Sequence, residues 1–410
     1  MIDITGIRRS FPMLNHKQMQ SHDLIYFDNG ATTFKPQTVI DAITRYYTDL
    51  SCNAHRGDYE LAYRLDQAFE EARASAAAFI HASEREIVFT SGASEGLNLV
   101  AQGYGRKFLR EGDIVLSTEA EHASCILPWM RACEETGAVL EYIPLDERGR
   151  VGIEAVAEMM NKNVKVIVLA QISNVLGYEA PISEICALAH QYGAVVVVDG
   201  AQSVPHLPID VTELDCDFLA FSAHKMCGPT GIGVLYGKYA LLDAMDPLYL
   251  GGGSNARFDM CGNILLKQPP YKFESGTANI AGILGMKAAF DYLSQIGMEQ
   301  IHAYEQQLHR QLVDGLQRLS NIHIYNADAD GAIVTFNVKD VFAQDAATYF
   351  SAHGVAVRSG QHCAKLLSEK LNTSATVRAS LYFYNDTQEI ERFLALAAEA
   401  DMKTCLDVYF

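Results

Sequence analysis

Ser222-Ala223-His224-Lys225-Met226-Cys227-Gly228-Pro229-Thr230-Gly231-Ile232-Gly233 places one lysine where an apolar strand breaks into a glycine-rich turn. The flanking runs Phe218 to Phe221 and Gly233 to Tyr236 read as strands. Upstream, Val195-Val196-Val197-Val198 is a β-branched run that ends on Asp199. Further strands are predicted at Glu86 to Thr90, Asp113 to Ser117, Val139 to Ile143 and Val164 to Ala170, with helical segments between them, as over 94–110. Such alternation predicts an α/β fold with a largely parallel sheet covered by helices on both faces. The candidate chemistry then lies at the C-terminal ends of the strands, where open α/β sheets put their ligands. Leu61, Leu65, Ala68, Phe69, Ala72 and Phe79 follow helical spacing and read as core.

With 410 residues the chain exceeds one simple domain. A helical segment over 279–320 leads into a second, smaller unit with strands at Ala332 to Asn337, Val355 to Arg358 and Val377 to Leu381, a helix at 344–354 and a final helix from 387. The expected division is 16–290 for the large domain, with 1–15 and 291–410 forming the small one. A net charge of −18 disfavours nucleic acid and anionic membranes and suits a partner with a basic surface. No run is long enough to span a bilayer, and Met1 to Gly6 does not read as a signal segment, so the expected location is cytoplasmic. Nine cysteines without CxxC pairs argue against a disulfide framework and against a structural zinc, and no metal is expected.

An acid on one strand end, an amide at Gln202 and a lysine at the next strand end read as a pyridoxal phosphate site. That cofactor is an electron sink only while its ring nitrogen is protonated, and a nearby carboxylate favours the proton by charge pairing, which assigns Asp199. The aldehyde needs an amine whose charge is readily lost on desolvation, which assigns Lys225. Ser222 and His224 can donate to the phosphate, while Gly228, Gly231 and Gly233 let the backbone turn closely around it. Ser91-Gly92-Ala93-Ser94-Glu95-Gly96, between a strand and a helix, turns amides and the Ser94 hydroxyl toward an anion. Taken singly, an aspartate after a strand also caps helices and a serine before a glutamate also makes a capping box.

These residues, together with Asn29-Gly30-Ala31-Thr32-Thr33, Asn53-Ala54-His55-Arg56-Gly57, Glu121-His122-Ala123, Ser173-Asn174-Val175-Leu176-Gly177, Phe273-Glu274-Ser275-Gly276-Thr277 and Arg358-Ser359-Gly360-Gln361-His362-Cys363-Ala364, resemble the class V branch of fold type I pyridoxal phosphate enzymes. Within it the resemblance is to the group II cysteine desulfurases and selenocysteine lyases. It implies a mostly parallel seven-stranded sheet in the large domain and a smaller C-terminal α/β domain. It also implies that His122 stacks on the cofactor ring and takes part in proton transfer, that Ala93 and Ser94 bind phosphate, and that Gln202 meets the ring hydroxyl. Asn174 is implied to contact the cofactor oxygen or the substrate carboxylate, and Arg378 to clamp that carboxylate, a task that suits a planar bidentate fork. Arg358 is expected to shape the substrate entrance. Thr277 is implied to reach the phosphate of a neighbouring subunit, which makes the active unit a homodimer.

Cys363 is the implied nucleophile, and its basic neighbours Arg358, His362 and Lys365 are expected to favour thiolate. The activity implied is conversion of L-cysteine to L-alanine with sulfur left as a persulfide on Cys363, for iron–sulfur clusters or thio-cofactors. Lyase action on L-selenocysteine is the neighbouring alternative, and an aminotransferase or hydrolase in which Cys363 is incidental is a further one. The chain departs from the pattern at Gln361, where many group II members have a second histidine, and at Ala364-Lys365-Leu366-Leu367, which lacks the usual glutamine-proline. Asp340 to Asp345 lacks the histidine of relatives that use a zinc-bearing acceptor, so the sulfur-acceptor protein stays open. Cys227 is unusual for the pattern and reads as packing. A dinucleotide enzyme is excluded, because no Gly-x-Gly-x-x-Gly follows the first strand.

Overall fold

The computed structural model describes residues 2–15 and 24–410. Seven strands form the large sheet: β1 Ile87–Thr90, β2 Ile114–Ser117, β3 Val139–Tyr142, β4 Val164–Ala170, β5 Val195–Asp199, β6 Phe218–Ser222 and β7 Gly233–Gly237. Their order is β1-β7-β6-β5-β4-β2-β3, and β7 alone runs against its neighbours. The valine run shows why the sheet is buried on both faces. Val196 and Val198 enter one apolar cluster with Phe69, Met286 and Phe290, while Val195 and Val197 enter the opposite one with Leu97 and Trp129. Side chains alternate across a strand, so an unbroken apolar run requires cover on both sides. Helices Gln37–Asp49, Glu60–Phe79 and Ile280–Ile296 supply one cover, and Ala93–Val100 with Ala123–Thr136 supply the other.

The small sheet contains β8 Ile322–Ile324, β9 Ile333–Val338, β10 Arg358–Gly360 and β11 Thr376–Ser380, in the order β8-β9-β11-β10 and antiparallel throughout. Helices Met298–Gln317, Ala343–Ala352 and Thr387–Glu399 pack against it around Phe336, Phe350 and Phe393. Ile7 and Phe11 pack in the first cluster of the large sheet, whereas Ile25 and Phe27 pack with the small sheet.

Three predicted elements are subdivided. The helix expected over 94–110 is α-helical at Ala93–Val100, widens into a π turn at Ala101–Gly105 and tightens again at Arg106–Phe108. Gly103 and Gly105 sit at the widening, where a Cβ would meet Asp246 O at 2.2 Å and the Trp129 ring at 2.8 Å. The segment over 279–320 breaks at Gly297, whose φ of 93° only glycine adopts readily. The strand expected at Val355 to Arg358 divides into Val355–Ala356, which pairs with Ile25–Tyr26, and β10, which pairs with β11.

Candidate active site

A cavity of about 210 Å³ opens at the C-terminal ends of β4, β5 and β6, between the two sheets. Ala93, Ser94, His122, Asn174, Asp199, Gln202, Ser222, His224, Lys225, Arg358, Cys363 and Arg378 all line it. Thr277 does not; its hydroxyl meets the Asn53 amide at 3.3 Å outside this cavity.

Asp199 ends β5 in register with Ala170 on β4 and Ala220 on β6. Its Oδ1 accepts the Ala201 amide (2.9 Å), which fixes the carboxylate and leaves the other oxygen for a cavity ligand. Lys225 follows β6 on a single turn of 3₁₀ helix. It lies deep in the cavity and makes no hydrogen bond or ion pair among the described residues. Burial pulls its ammonium down to about 8, against the pull of Asp199 in the other direction. Burial likewise lowers His224, to about 4, and lowers His122, whose Nδ1 accepts the Ser124 amide (3.1 Å). His122 is therefore a neutral imidazole with its proton on Nε2.

At the anion end, the Ala93 amide donates to Ser222 Oγ (2.8 Å) and Ser94 Oγ lies 2.7 Å from Ser124 Oγ. Gly92, at φ 152°, brings this helix start within reach of β6: a Cβ there would stand 3.0 Å from Ser222 Oγ. Gln202 Nε2 donates to Gly30 O (2.8 Å), while its buried Oε1 has no protein partner. A free carboxylate oxygen, an unpaired amine, an unpaired amide oxygen and a hydroxyl-lined helix start form the donor set that pyridoxal phosphate needs.

The substrate side is built from the small sheet. Arg358 and Arg378 stand directly opposite each other on β10 and β11. Arg378 is buried; its NH1 donates to Asn174 O (2.8 Å) and its NH2 meets Asp28 Oδ1 (3.2 Å), while Nε is unpaired. Two guanidiniums against one aspartate leave positive charge for an incoming carboxylate.

Beyond β10 the chain turns through His362 and Cys363 with φ of 50° and 60°, a left-handed pair formed without glycine. Such backbone is costly and persists only where neighbours hold it. Here the Asn174 amide donates to His362 O (2.8 Å), the Ala123 amide to Cys363 O (2.8 Å), and His362 Nε2 meets Thr376 Oγ1 at 2.9 Å. Cys363 is exposed at the cavity rim as a free thiol. The expectation of basic neighbours Arg358, His362 and Lys365 is corrected at His362: burial and then Arg378 pull it down to about 3, so its imidazole is neutral. Asn174 likewise has a role in holding the turn that the sequence did not reveal.

The family model for class V aminotransferases matches residues 25–393. The chain belongs to the class V aminotransferase family. Within it, a probable cysteine desulfurase of Halalkalibacterium halodurans is 44% identical over 94% of this chain and 95% of its own. A cysteine desulfurase of Haloferax volcanii is 41% identical over 96% of both chains. Among solved structures, the apo cysteine desulfurase of Thermococcus onnurineus superposes with a TM-score of 0.92 at 37% identity, covering 97% of this chain and 98% of that one. A cysteine desulfurase of Escherichia coli gives 0.90 at 33% identity, covering 100% and 99%. This chain is therefore an enzyme of the cysteine desulfurase group of the class V family, its fold is that of the fold type I enzymes, and its cofactor is pyridoxal 5′-phosphate.

No helix of the described residues is long and apolar enough to cross a membrane, and none of their His, Cys, Asp and Glu side chains form a group able to hold a metal. All nine cysteines are free. Sequence reasoning missed Asp28 and Thr376. Asp28 stands immediately before the Asn29 to Thr33 motif, but its contact with Arg378, across 350 positions, is a tertiary fact with no local signal.

Proposed function

We propose that this chain is a group II L-cysteine desulfurase that yields L-alanine and leaves sulfur on Cys363 as a persulfide. The observation that carries the reading is a free thiol on a braced left-handed turn at the rim of a cavity holding Lys225, Asp199 and Arg378. Bound there, pyridoxal phosphate supplies an electron sink that makes the substrate Cα proton acidic. Asp199 holds the ring-nitrogen end, Ala93, Ser94, Ser222 and His224 the phosphate end, and Gln202 the ring hydroxyl. His122, a neutral imidazole in the cavity wall with its proton on Nε2, would be placed to donate that proton toward the bound cofactor and substrate. Arg378 takes the substrate carboxylate, with Asn174 behind it and Arg358 at the entrance. Lys225 takes the Cα proton, which its depressed ammonium pKa allows near neutrality.

Cys363 then forms an S–S bond to the substrate sulfur as the C–S bond breaks. One L-cysteine and one protein thiol become one L-alanine and one persulfide, so the carbon gains the electrons the sulfur gives up and no external oxidant is needed. Thr277, beside Asn53 and outside its own cavity, serves the cavity of a second copy in a homodimer. Nine free cysteines suit the reducing cytoplasm, and the exposed thiol hands its sulfur to an acceptor protein that comes to the rim.

Mass spectrometry after L-cysteine, on the wild type and Cys363→Ser, with alanine release followed in parallel, tests this. An extra sulfur on the Cys363 peptide that disappears in the variant together with alanine formation is expected. Equal alanine from both proteins without the adduct would move the reading to a lyase or aminotransferase in which Cys363 is incidental. Alanine from L-selenocysteine alone would move it to a selenocysteine lyase.

A further inference from the structure

Glu121 is a buried carboxylate that the reaction above leaves unused. It ends the loop that leaves β2 and delivers His122. Its Oε1 accepts the Thr118 hydroxyl (2.7 Å), its Oε2 accepts the Ala170 amide (2.7 Å), and the buried Cys125 thiol belongs to the same surroundings. No cation pairs with it among the described residues. Ala170, whose amide it holds, is the register partner of Asp199 on the adjacent strand, and adjacent strands lie only about 4.8 Å apart. The carboxyl therefore closes the end of β4 directly beside the strand end that bears Asp199. On its other side, the Ala123 amide is held by the carbonyl of Cys363, so the same short loop touches the cofactor end and the nucleophile turn.

We infer that Glu121 is a positioning residue that stores a proton behind the cofactor site: it ties the His122 loop to the end of β4, and its ionisation sets the charge that Asp199 feels. The inference rests on the cavity being the pyridoxal phosphate site. The titratable groups that act on it are Asp199 on β5 and Cys125 on the helix Ala123–Thr136, and β4 meets it with the Ala170 main-chain amide. Cys125 stays a neutral thiol, since burial pushes it well up. Burial first, and then Asp199, push the Glu121 carboxyl up to about 7, against the hydrogen bonds that hold it down. While Glu121 is neutral, Asp199 is the only carboxylate among the described residues that line the cavity. Once Glu121 ionises, a second like charge raises the proton affinity of every group the two carboxylates face.

Glu121→Gln separates charge from shape. The amide oxygen still accepts from Ala170, and the amide NH₂ donates to Thr118 Oγ1, but the side chain no longer ionises. In protein loaded with pyridoxal phosphate, the pH midpoint of the visible absorbance is expected to fall in the variant by on the order of one unit. In unloaded protein labelled with ¹³C at glutamate carboxyls, a resonance titrating near 7 is expected in the wild type and absent from the variant. Equal absorbance midpoints in two proteins that melt alike and bind cofactor alike would overturn the inference. Should the variant fail to fold, labelled wild type decides alone: no glutamate carboxyl titrating well above the ordinary range overturns it. A wild type that develops no absorbance with pyridoxal phosphate rejects the cofactor site instead, and the carboxyl titration still judges Glu121 separately.

Discussion

Lys225 is held where its charge is disfavoured. Its ammonium, ordinarily near 10.5, falls to about 8 inside the cavity, so the unloaded fold resists the charged form. At Lys225, between these two values, the unfolded chain binds more protons than the folded one, so this group's penalty on the stability of the unloaded protein is full below about 8 and is relieved as pH climbs toward 10.5. Lys225→Met is therefore expected to stabilise unloaded protein at pH 7 by up to about 3 kcal/mol, less what water in the cavity returns, and to give no such gain above pH 10.5. Denaturant unfolding at both pH values checks this, and equal gains at both would show that packing rather than charge is responsible. Arg378 gives the complementary test. A lysine there keeps the charge but loses the fork that spans Asn174 O and Asp28, so Arg378→Lys is expected to raise KM for L-cysteine about 10- to 100-fold with a smaller change in kcat. Steady-state kinetics decide, and an unchanged KM would remove Arg378 from carboxylate binding. That Asp199 and Lys225 share one cavity was legible from their own chemistry, and that Cys363 and Arg378 join them was legible only through the family resemblance. Asp28 and the neutrality of His362 were not, because they depend on burial and on partners distant along the chain.

At the scale of elements, strands were legible wherever an apolar run needed cover on both faces, as over Val164 to Ala170 and Val195 to Asp199. Helix continuity was not, because π widening at Ala101–Gly105 and the break at Gly297 answer to neighbours such as Trp129 that the local pattern does not contain. The hairpin Asn255–Phe258 with Ile264–Leu266 was also missed; its side chains are largely exposed, so it carries no alternation of buried and exposed residues. The anion end of the cavity depends on a close approach of two elements. A Cβ on Gly233 would lie 2.4 Å from Phe221 O and 2.6 Å from Gly92 Cα, so β7 can reach β6 and the Gly92 turn only as glycine. Gly233→Ala must displace the turn that presents Ala93 to Ser222. It is expected to destabilise the fold by about 1–3 kcal/mol and to weaken pyridoxal phosphate binding at least tenfold, read by thermal melting and by absorbance titration. Wild-type affinity in a folded variant would show that this approach does not shape the anion site.

Across the whole molecule, the two sheets carry separate apolar clusters, and polar contacts lock them together around the cavity. At the N-terminal end, Arg8 donates to Tyr384 O (2.7 Å) and pairs with Glu389 (2.9 Å). Opposite it, Arg150 pairs with Asp330 (2.7 Å), and Arg148 and Tyr178 meet Asp328. Behind the cavity stands Asn326, fully buried, whose Nδ2 donates to Leu176 O and Ile333 O (2.8 Å each) while Oδ1 accepts the Thr335 amide (2.8 Å). It fixes the loop after β4 to β9, and that loop carries Asn174, which holds both Arg378 and the Cys363 turn. Asn326→Ala leaves two carbonyls and an amide unpaired in the interior and is expected to cost about 2–4 kcal/mol. Asn326→Asp keeps the acceptor for Thr335 but sets a buried carboxyl against two carbonyl oxygens, so it is expected to cost at least as much as alanine. Both variants are expected to slow persulfide formation on Cys363 more than they slow exchange of the substrate Cα proton into D₂O, because the lysine side of the cavity stands on the large sheet and is left in place. Denaturant unfolding ranks the stabilities, and mass spectrometry with proton-exchange rates separates the steps. An aspartate variant as stable as the wild type, or equal slowing of both steps, would show that this bond set does not transmit position to the nucleophile.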